Sequence, residues 1–279
     1  MSAMEALLDE YHADVNAVDE DSTPLIKAVM GGSLAAVEHV LSRSELDLNH
    51  FNQGNKALWY STAQKDPAIA QRLLLQPGID INTPLRAKSG KPFTTFNEAA
   101  IRNNTEVVKV ILARERADPN IAAENGQTPL LCASARGCVE IVRVLLGDSR
   151  VDRVRQDDRG CSALHCAAEN GDVQIIDLLL ADGRIDVNAR DRTGSTALHL
   201  AAKAGHVGAV NHLLMASTID INARNREGRT ALWNATRQRH DRVASRLLIE
   251  EDVQVNPTGT GESTDRSTWL HHAVEEGNL

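Results

Sequence analysis

Apolar residues fall in two short clusters per period along most of this chain, and the polar letters between the clusters recur with them. Residues 155–188, RQDDRGCSALHCAAENGDVQIIDLLLADGRIDVN, carry the pattern in full. Leu164, Ala167 and Ala168 lie three and four apart and form one narrow apolar face. Val173, Ile175, Ile176, Leu178, Leu179 and Leu180 form a wider stripe behind it. The spacing predicts two short helices. Ser162 stands where a hydroxyl can satisfy the orphan N–H groups of the first helix. Ala163 takes the first helical position, where other copies carry proline. Gly171 ends that helix. Asp157-Asp158-Arg159-Gly160 reads as a turn, with Gly160 available for a positive φ. Asp182-Gly183 stops the second helix, and Ile185-Asp186-Val187-Asn188 is expected to run extended into the next turn.

The phrase that opens each unit starts at Thr23, Lys56, Thr94, Thr128, Ser162, Thr196, Thr230 and Thr268, at intervals of 33, 38, 34, 34, 34, 34 and 38 residues. A fixed period of this size means a stacked array. Two helices of two to three turns cannot hold together alone, so each unit must bury its face against its neighbours. The two long intervals each hold about four extra residues, in Thr83–Phe93 and Pro257–Ser267. Thr83-Pro84-Leu85 has the right letters in the wrong phase, and the phrase in register is Thr94-Thr95-Phe96-Asn97. Lengthened connections of this kind are where an array can place binding determinants.

The letters G-x-T-P-L-H-x-A-A-x-x-G, then V-x-x-L-L, then D-V-N-A, resemble the ankyrin repeat. Residues 194–205 (GSTALHLAAKAG) match almost completely, and the resemblance spans nearly the whole chain. It implies an all-α repeat solenoid of helix-turn-helix units with projecting β-hairpin or loop fingers and a concave groove. The units expected are a partial repeat at 1–17, full repeats at 18–50, 51–82, 83–120, 121–154, 155–188, 189–222 and 223–256, and a partial repeat at 257–279. Both ends are expected to be half repeats, as in a segment of a longer protein.

Composition narrows the function. Aromatics make up 3% of the chain, which suits a core of Ala, Leu, Val and Ile on short helices. No apolar run is long enough for a transmembrane helix, and the N-terminus lacks a secretory signal pattern. The net charge of -8 is concentrated in residues 1–60, with ten Asp/Glu against three Lys/Arg. That balance argues against general nucleic-acid binding, which needs a basic stripe. The last repeats are basic instead, with Arg224, Arg226, Arg229, Arg237, Arg239, Arg242 and Arg246. Cys132, Cys138, Cys161 and Cys166 form no C-x-x-C pair, so a reduced intracellular setting, cytoplasmic or nuclear, is expected. Stacking at about 8–10 Å keeps Cys132 and Cys166 too far apart for a bridge.

Candidate chemistry is sparse. His165, His199 and His271 fill the histidine slot of the phrase, and the resemblance assigns them to backbone hydrogen bonds between neighbouring fingers. His206, His212 and His240 are expected near the second helices, towards the convex side. No phosphate loop, nucleophile elbow, zinc motif or dinucleotide fingerprint occurs, so no catalytic residue, metal or cofactor is expected. The position after the histidine slot, and those three and four further on, should face the groove. These rows vary from copy to copy where the scaffold rows do not. They supply the candidate partner-binding residues Tyr60, Glu98, Arg102, Arg136, Glu169, Lys203, Asn234 and Arg237, of types that anchor interfaces or set their register. Trp59 and Trp233 replace the slot histidine and belong equally to core or surface. The expected function is a monomeric, non-catalytic module that binds a protein partner. The alternative is a small-ligand binder or an unusual enzyme using the acid and base groups of the groove.

Overall fold

In the computed structural model the described residues are 13–19, 22–48, 53–64, 66–79, 81–86 and 92–255. The chain forms two compact units, Met1–Glu124 and Asn125–Leu279. Among the described residues the first holds three helix pairs: α1 (Pro24–Met30) with α2 (Leu34–Leu41), α3 (Gln53–Ser61) with α4 (Ala68–Leu74), and α5 (Thr95–Ile101) with α6 (Thr105–Leu112). Among the described residues the second holds four: α7 (Pro129–Ala135) with α8 (Val139–Leu146), α9 (Ala163–Asn170) with α10 (Val173–Ala181), α11 (Ala197–Ala204) with α12 (Val207–Leu214), and α13 (Ala231–Arg237) with α14 (Asp241–Leu248). In the second unit the first helices stack in order on one another, and the second helices stack behind them. This is the all-helical repeat solenoid that the periodicity implies.

Most of the first helices begin where hydroxyls stand. Thr23, Thr94, Thr128, Ser162 and Thr230 each accept a hydrogen bond from the backbone N–H three residues on, at 3.1–3.5 Å. Thr94 therefore opens α5, and Leu85 of the out-of-phase Thr-Pro-Leu lies in a strand. Lys56 offers no acceptor, and α3 begins at Gln53 rather than just after Lys56, which corrects the start expected there. One apolar row runs through every pair: Leu25, Leu58, Phe96, Leu130, Leu164, Leu198 and Leu232 are all at most 3% exposed. Burying each such side chain contributes roughly 1.5–3 kcal/mol. Behind it Ala133, Ala167, Ala201 and Ala235 are fully covered, and their small size lets successive first helices approach.

Among the described residues only one connection forms a β-ladder. Leu85–Arg86 (β1) pairs antiparallel with Pro92–Phe93 (β2), in the first of the two lengthened connections. The second lengthened connection, and His271, lie outside the described residues. The other fingers of the second unit are closed by turns. Asp157 Oδ1 accepts from the N–H groups of Arg159 and Cys161, both at 2.8 Å, and Asn225 Oδ1 does the same for Glu227 and Arg229 at 3.0 Å. A short side-chain acceptor that folds its own backbone in this way explains why Asp and Asn occupy the position. Gly160 sits in the same turn at φ 76°, and a Cβ there would sit 2.7 Å from the Arg192 nitrogen of the next finger. Ile185–Asn188 is less extended than expected, because Asp186 Oδ1 draws the Asn188 N–H back at 2.9 Å.

Polar struts join successive repeats within the second unit. Asn188 donates its amide to the Thr218 carbonyl at 2.7 Å and accepts the Asp220 N–H at 2.8 Å, and Asn222 repeats the pair with Asp252 and Gln254. The same position in the preceding copy is Val154, which is exposed, while Arg153 enters the buried slot that Val187 fills in the following copy. Arg153 donates to the carbonyls of Val151 at 3.0 Å and Leu146 at 2.7 Å. Its Nε faces Asp182 Oδ2 at 2.8 Å as an ion-pair contact rather than an aligned hydrogen bond. Asp182 also takes Arg184 at 3.1 Å. A charge pair thus replaces the asparagine strut at this junction. Asp182→Ala leaves a buried guanidinium without its counter-charge and is expected to cost on the order of 3–5 kcal/mol in a chemical denaturation series. Arg153→Val, which restores the apolar residue, is expected to cost clearly less. Equal losses would show that the pair is not what holds the junction.

Candidate protein-interaction surface

The slot histidines hold the fingers in place. His165 Nδ1 accepts the Ser162 N–H at 3.2 Å, and His199 Nδ1 accepts the Thr196 N–H at 3.2 Å. With Nδ1 engaged as an acceptor, the hydrogen must sit on Nε2. That atom donates to the carbonyl of the next finger, Ser195 at 3.0 Å for His165 and Arg229 at 2.9 Å for His199. Each ring is 1% exposed and links its own helix cap to the following turn. Burial, the largest influence on them, pushes both imidazoles below their ordinary range.

A second set of struts crosses at the far ends of the first helices. His206 Nε2 lies 3.1 Å from the Glu169 carbonyl, and His240 Nε2 lies 3.0 Å from the Lys203 carbonyl. Asn170 donates to the Ala135 carbonyl at 2.5 Å, and in the first unit Asn104 donates to the Thr62 carbonyl at 3.0 Å. His206 and His240 thus stand as N-caps of α12 and α14 and reach back to the preceding first helix, which corrects their expected convex placement. His212 does lie within a second helix, with Nδ1 2.6 Å from Asp177 Oδ1 of α10, the second helix of the preceding repeat.

In the first unit three candidate residues form one cluster around Trp59. Tyr60 meets Trp59 edge to face at 4.8 Å, and the Arg102 guanidinium lies 5.7 Å from the Trp59 ring centre. Arg102 Nε donates to Glu98 Oε1 at 2.6 Å. Trp59 is half-buried, so the tryptophan in the histidine slot is a shared wall between core and surface. Trp233 does the same in the second unit, with the Arg229 guanidinium stacked 4.0 Å above its ring.

The second unit carries a depression of about 690 Å³ spread over three successive fingers and helix ends. Glu169, Lys203, Asn234 and Arg237 all line it, and Arg136 does not. Glu169, Lys203 and Arg237 are exposed. The position after the histidine slot is more closed than its variability suggested. Cys132 and Cys166 are 2% and 4% exposed, and Asn234, at 9%, donates its amide to the His199 carbonyl at 3.3 Å. Those three correct the expectation of an open row, since the stacked neighbour covers them. Asp158, Arg159 and Arg192 at the fingertips, which are absent from the candidate residues expected from the sequence, also line the depression. The 34-residue recurrence of the turn, with its charge changing sign, was the available signal.

The four cysteines are free and buried. Cys161 reaches the depression, where burial pushes its thiol up to about 11, and burial takes Cys166 to about 12. Among the described residues no three His, Cys, Asp or Glu side chains converge to hold a metal ion. No helix among them is long and apolar enough to cross a membrane.

A family model described as ankyrin repeats (3 copies) matches residues 1–84, 96–191, 149–225 and 198–279. The chain belongs to the ankyrin repeat family. Ankyrin repeats are in general protein–protein interaction modules and typically non-enzymatic. Comparison with curated proteins returns no match.

The histidine struts set a pH dependence. The unfolded chain takes up protons near the ordinary value of 6.5, while the buried rings resist them. Their stabilisation is therefore complete above that value and is lost as pH falls from it towards the depressed folded values. The unfolding midpoint is expected to fall between about pH 7 and about pH 5. The double variant His165→Asn/His199→Asn is expected to be less stable at neutral pH and to show a flatter slope across that window. A slope that the substitutions leave unchanged would remove the imidazoles as its cause.

Proposed function

We propose that this chain is a non-catalytic recognition module that captures a protein partner in the depression of its second unit. The observation that carries the proposal is convergence. Fingertip and helix-end positions that vary between copies, and on which the scaffold places no demand, come together around one open surface. Glu169, Lys203 and Arg237 line it together with Trp233 and Leu200. An open lining that mixes apolar and charged side chains suits a protein partner better than a small substrate.

The raised Cys161 thiol supports the non-catalytic side of the proposal. A nucleophilic cysteine needs its thiolate favoured, and this one is held as the thiol. Four buried free thiols also fit an intracellular setting.

The test is affinity capture with the intact chain and with Lys203→Glu/Arg237→Glu, two exposed changes expected to leave the unfolding midpoint within a few degrees. Proteins bound by the wild-type chain at low salt are expected to bind the variant at least about tenfold more weakly. An identical set of bound proteins, at identical strength, would sink the assignment of the depression.

A further inference from the structure

Two rows at this depression, whose lining includes Asn225 and Glu227 on either side of Arg226, change sign at the same place. At the fingertips the same turn position holds Asp158, then Arg192, then Arg226. At the ends of the first helices the equivalent position holds Glu169, then Lys203, then Arg237. Both rows read acidic, basic, basic over three successive repeats. Backbone bonds hold the tips in step: the Arg192 N–H donates to the Arg159 carbonyl at 2.8 Å, and the Arg226 N–H donates to the Thr193 carbonyl at 2.9 Å.

Arg192, Lys203 and Arg226 are not neutralised by the carboxylates beside them. Asp191 Oδ1 accepts from the Thr193 N–H at 2.8 Å, the Thr193 hydroxyl at 2.7 Å and the Ser195 N–H at 2.8 Å, all within its own turn. Glu227 pairs with Arg229, which in turn covers Trp233. The Arg192, Lys203 and Arg226 side chains make no ion pair or hydrogen bond with the described residues. At the acidic end Arg159 is already shared, 3.4 Å from Asp157 and 3.7 Å from Glu169.

Given a protein partner in this depression, as proposed for the chain's function, we infer that the partner enters as an extended acidic peptide segment lying along the repeats. It presents one basic side chain to Asp158 and Glu169, and acidic side chains three and six residues along to Arg192 with Lys203 and to Arg226 with Arg237. The spacing is set by geometry. Stacked helices lie about 8–10 Å apart. A polyproline-type chain advances about 3.1 Å per residue and brings every third side chain to the same face, or about 9 Å per turn. A β-strand alternates faces every residue and would turn its third side chain away.

The probes are fluorescein-labelled peptides in a Pro/Ala background. One carries Lys, Glu and Glu at every third position, a second carries the same residues in reversed order, and a third moves the acids to every second position. Binding to the intact chain is read by fluorescence anisotropy. One of the two every-third peptides is expected to bind at least about tenfold more tightly than the every-second peptide, and to weaken as salt rises from about 50 to about 300 mM. Arg192→Gln/Arg226→Gln, and separately Arg192→Glu/Arg226→Glu, are expected to reduce that binding in this order while leaving the unfolding midpoint in place. Equal affinity for all spacings, or binding that neither variant reduces, overturns the acidic-segment inference. If these peptides fail while capture of a protein still depends on Lys203 and Arg237, only the partner chemistry is wrong. If capture is also unaffected, the depression itself falls as the site.

Discussion

A single imidazole bonded at both ring nitrogens fixes much of the second unit's architecture. Nδ1 closes the cap of its own helix, and Nε2 holds the carbonyl of the next finger. That bond couples local helix geometry to the position of a neighbour 30 residues away. It works only for the neutral ring, because protonation would set a donor against the Ser162 or Thr196 N–H. Burial enforces neutrality, and the fingers are therefore held in fixed spacing over the range where the rings stay uncharged. Gly160 belongs to the same constraint, since the next finger's backbone occupies the space a side chain would need.

Where the histidine is missing, the slot changes character rather than emptying. Asn97 accepts the Thr94 hydroxyl within its own helix cap. Trp59 and Trp233 fill the volume with a ring and draw an arginine over its face. The two tryptophans thus form an aromatic wall at the surface. In the second unit that wall lines the depression, so the residue in the histidine slot itself becomes part of the open surface.

What could be read from the sequence was what depends on near neighbours in the chain. The caps at Thr94 and Ser162, the left-handed Gly171 and the leucine row all arise from residues within one turn of each other. Four of the candidate contact residues of the second unit lie at the depression for the same reason, because the repeat fixes their phase. The parts that escaped depend on residues about one repeat away. Nothing within the His206 helix announces that its ring will reach the Glu169 carbonyl. Arg153 reads as a surface residue until Asp182 of the following copy is placed beside it. Asn234 reads as exposed by its phase, and the neighbouring repeat covers it.

The same dependence explains why recognition sits well on the finger and helix-end rows. A flexible pair of arginines would lose conformational freedom on meeting a ligand, at roughly 0.5–1.5 kcal/mol per side chain. Here the backbone at Arg192 and Arg226 is already bound to the preceding finger, and those fingers are held by His165 and His199. Only the side-chain torsions remain to be ordered. The scaffold rows cannot vary without loosening this frame. The tips and helix ends carry no such duty, so charge can change there from one repeat to the next at little cost to the fold. Selectivity then resides in the order of signs along a spacing that the struts keep constant.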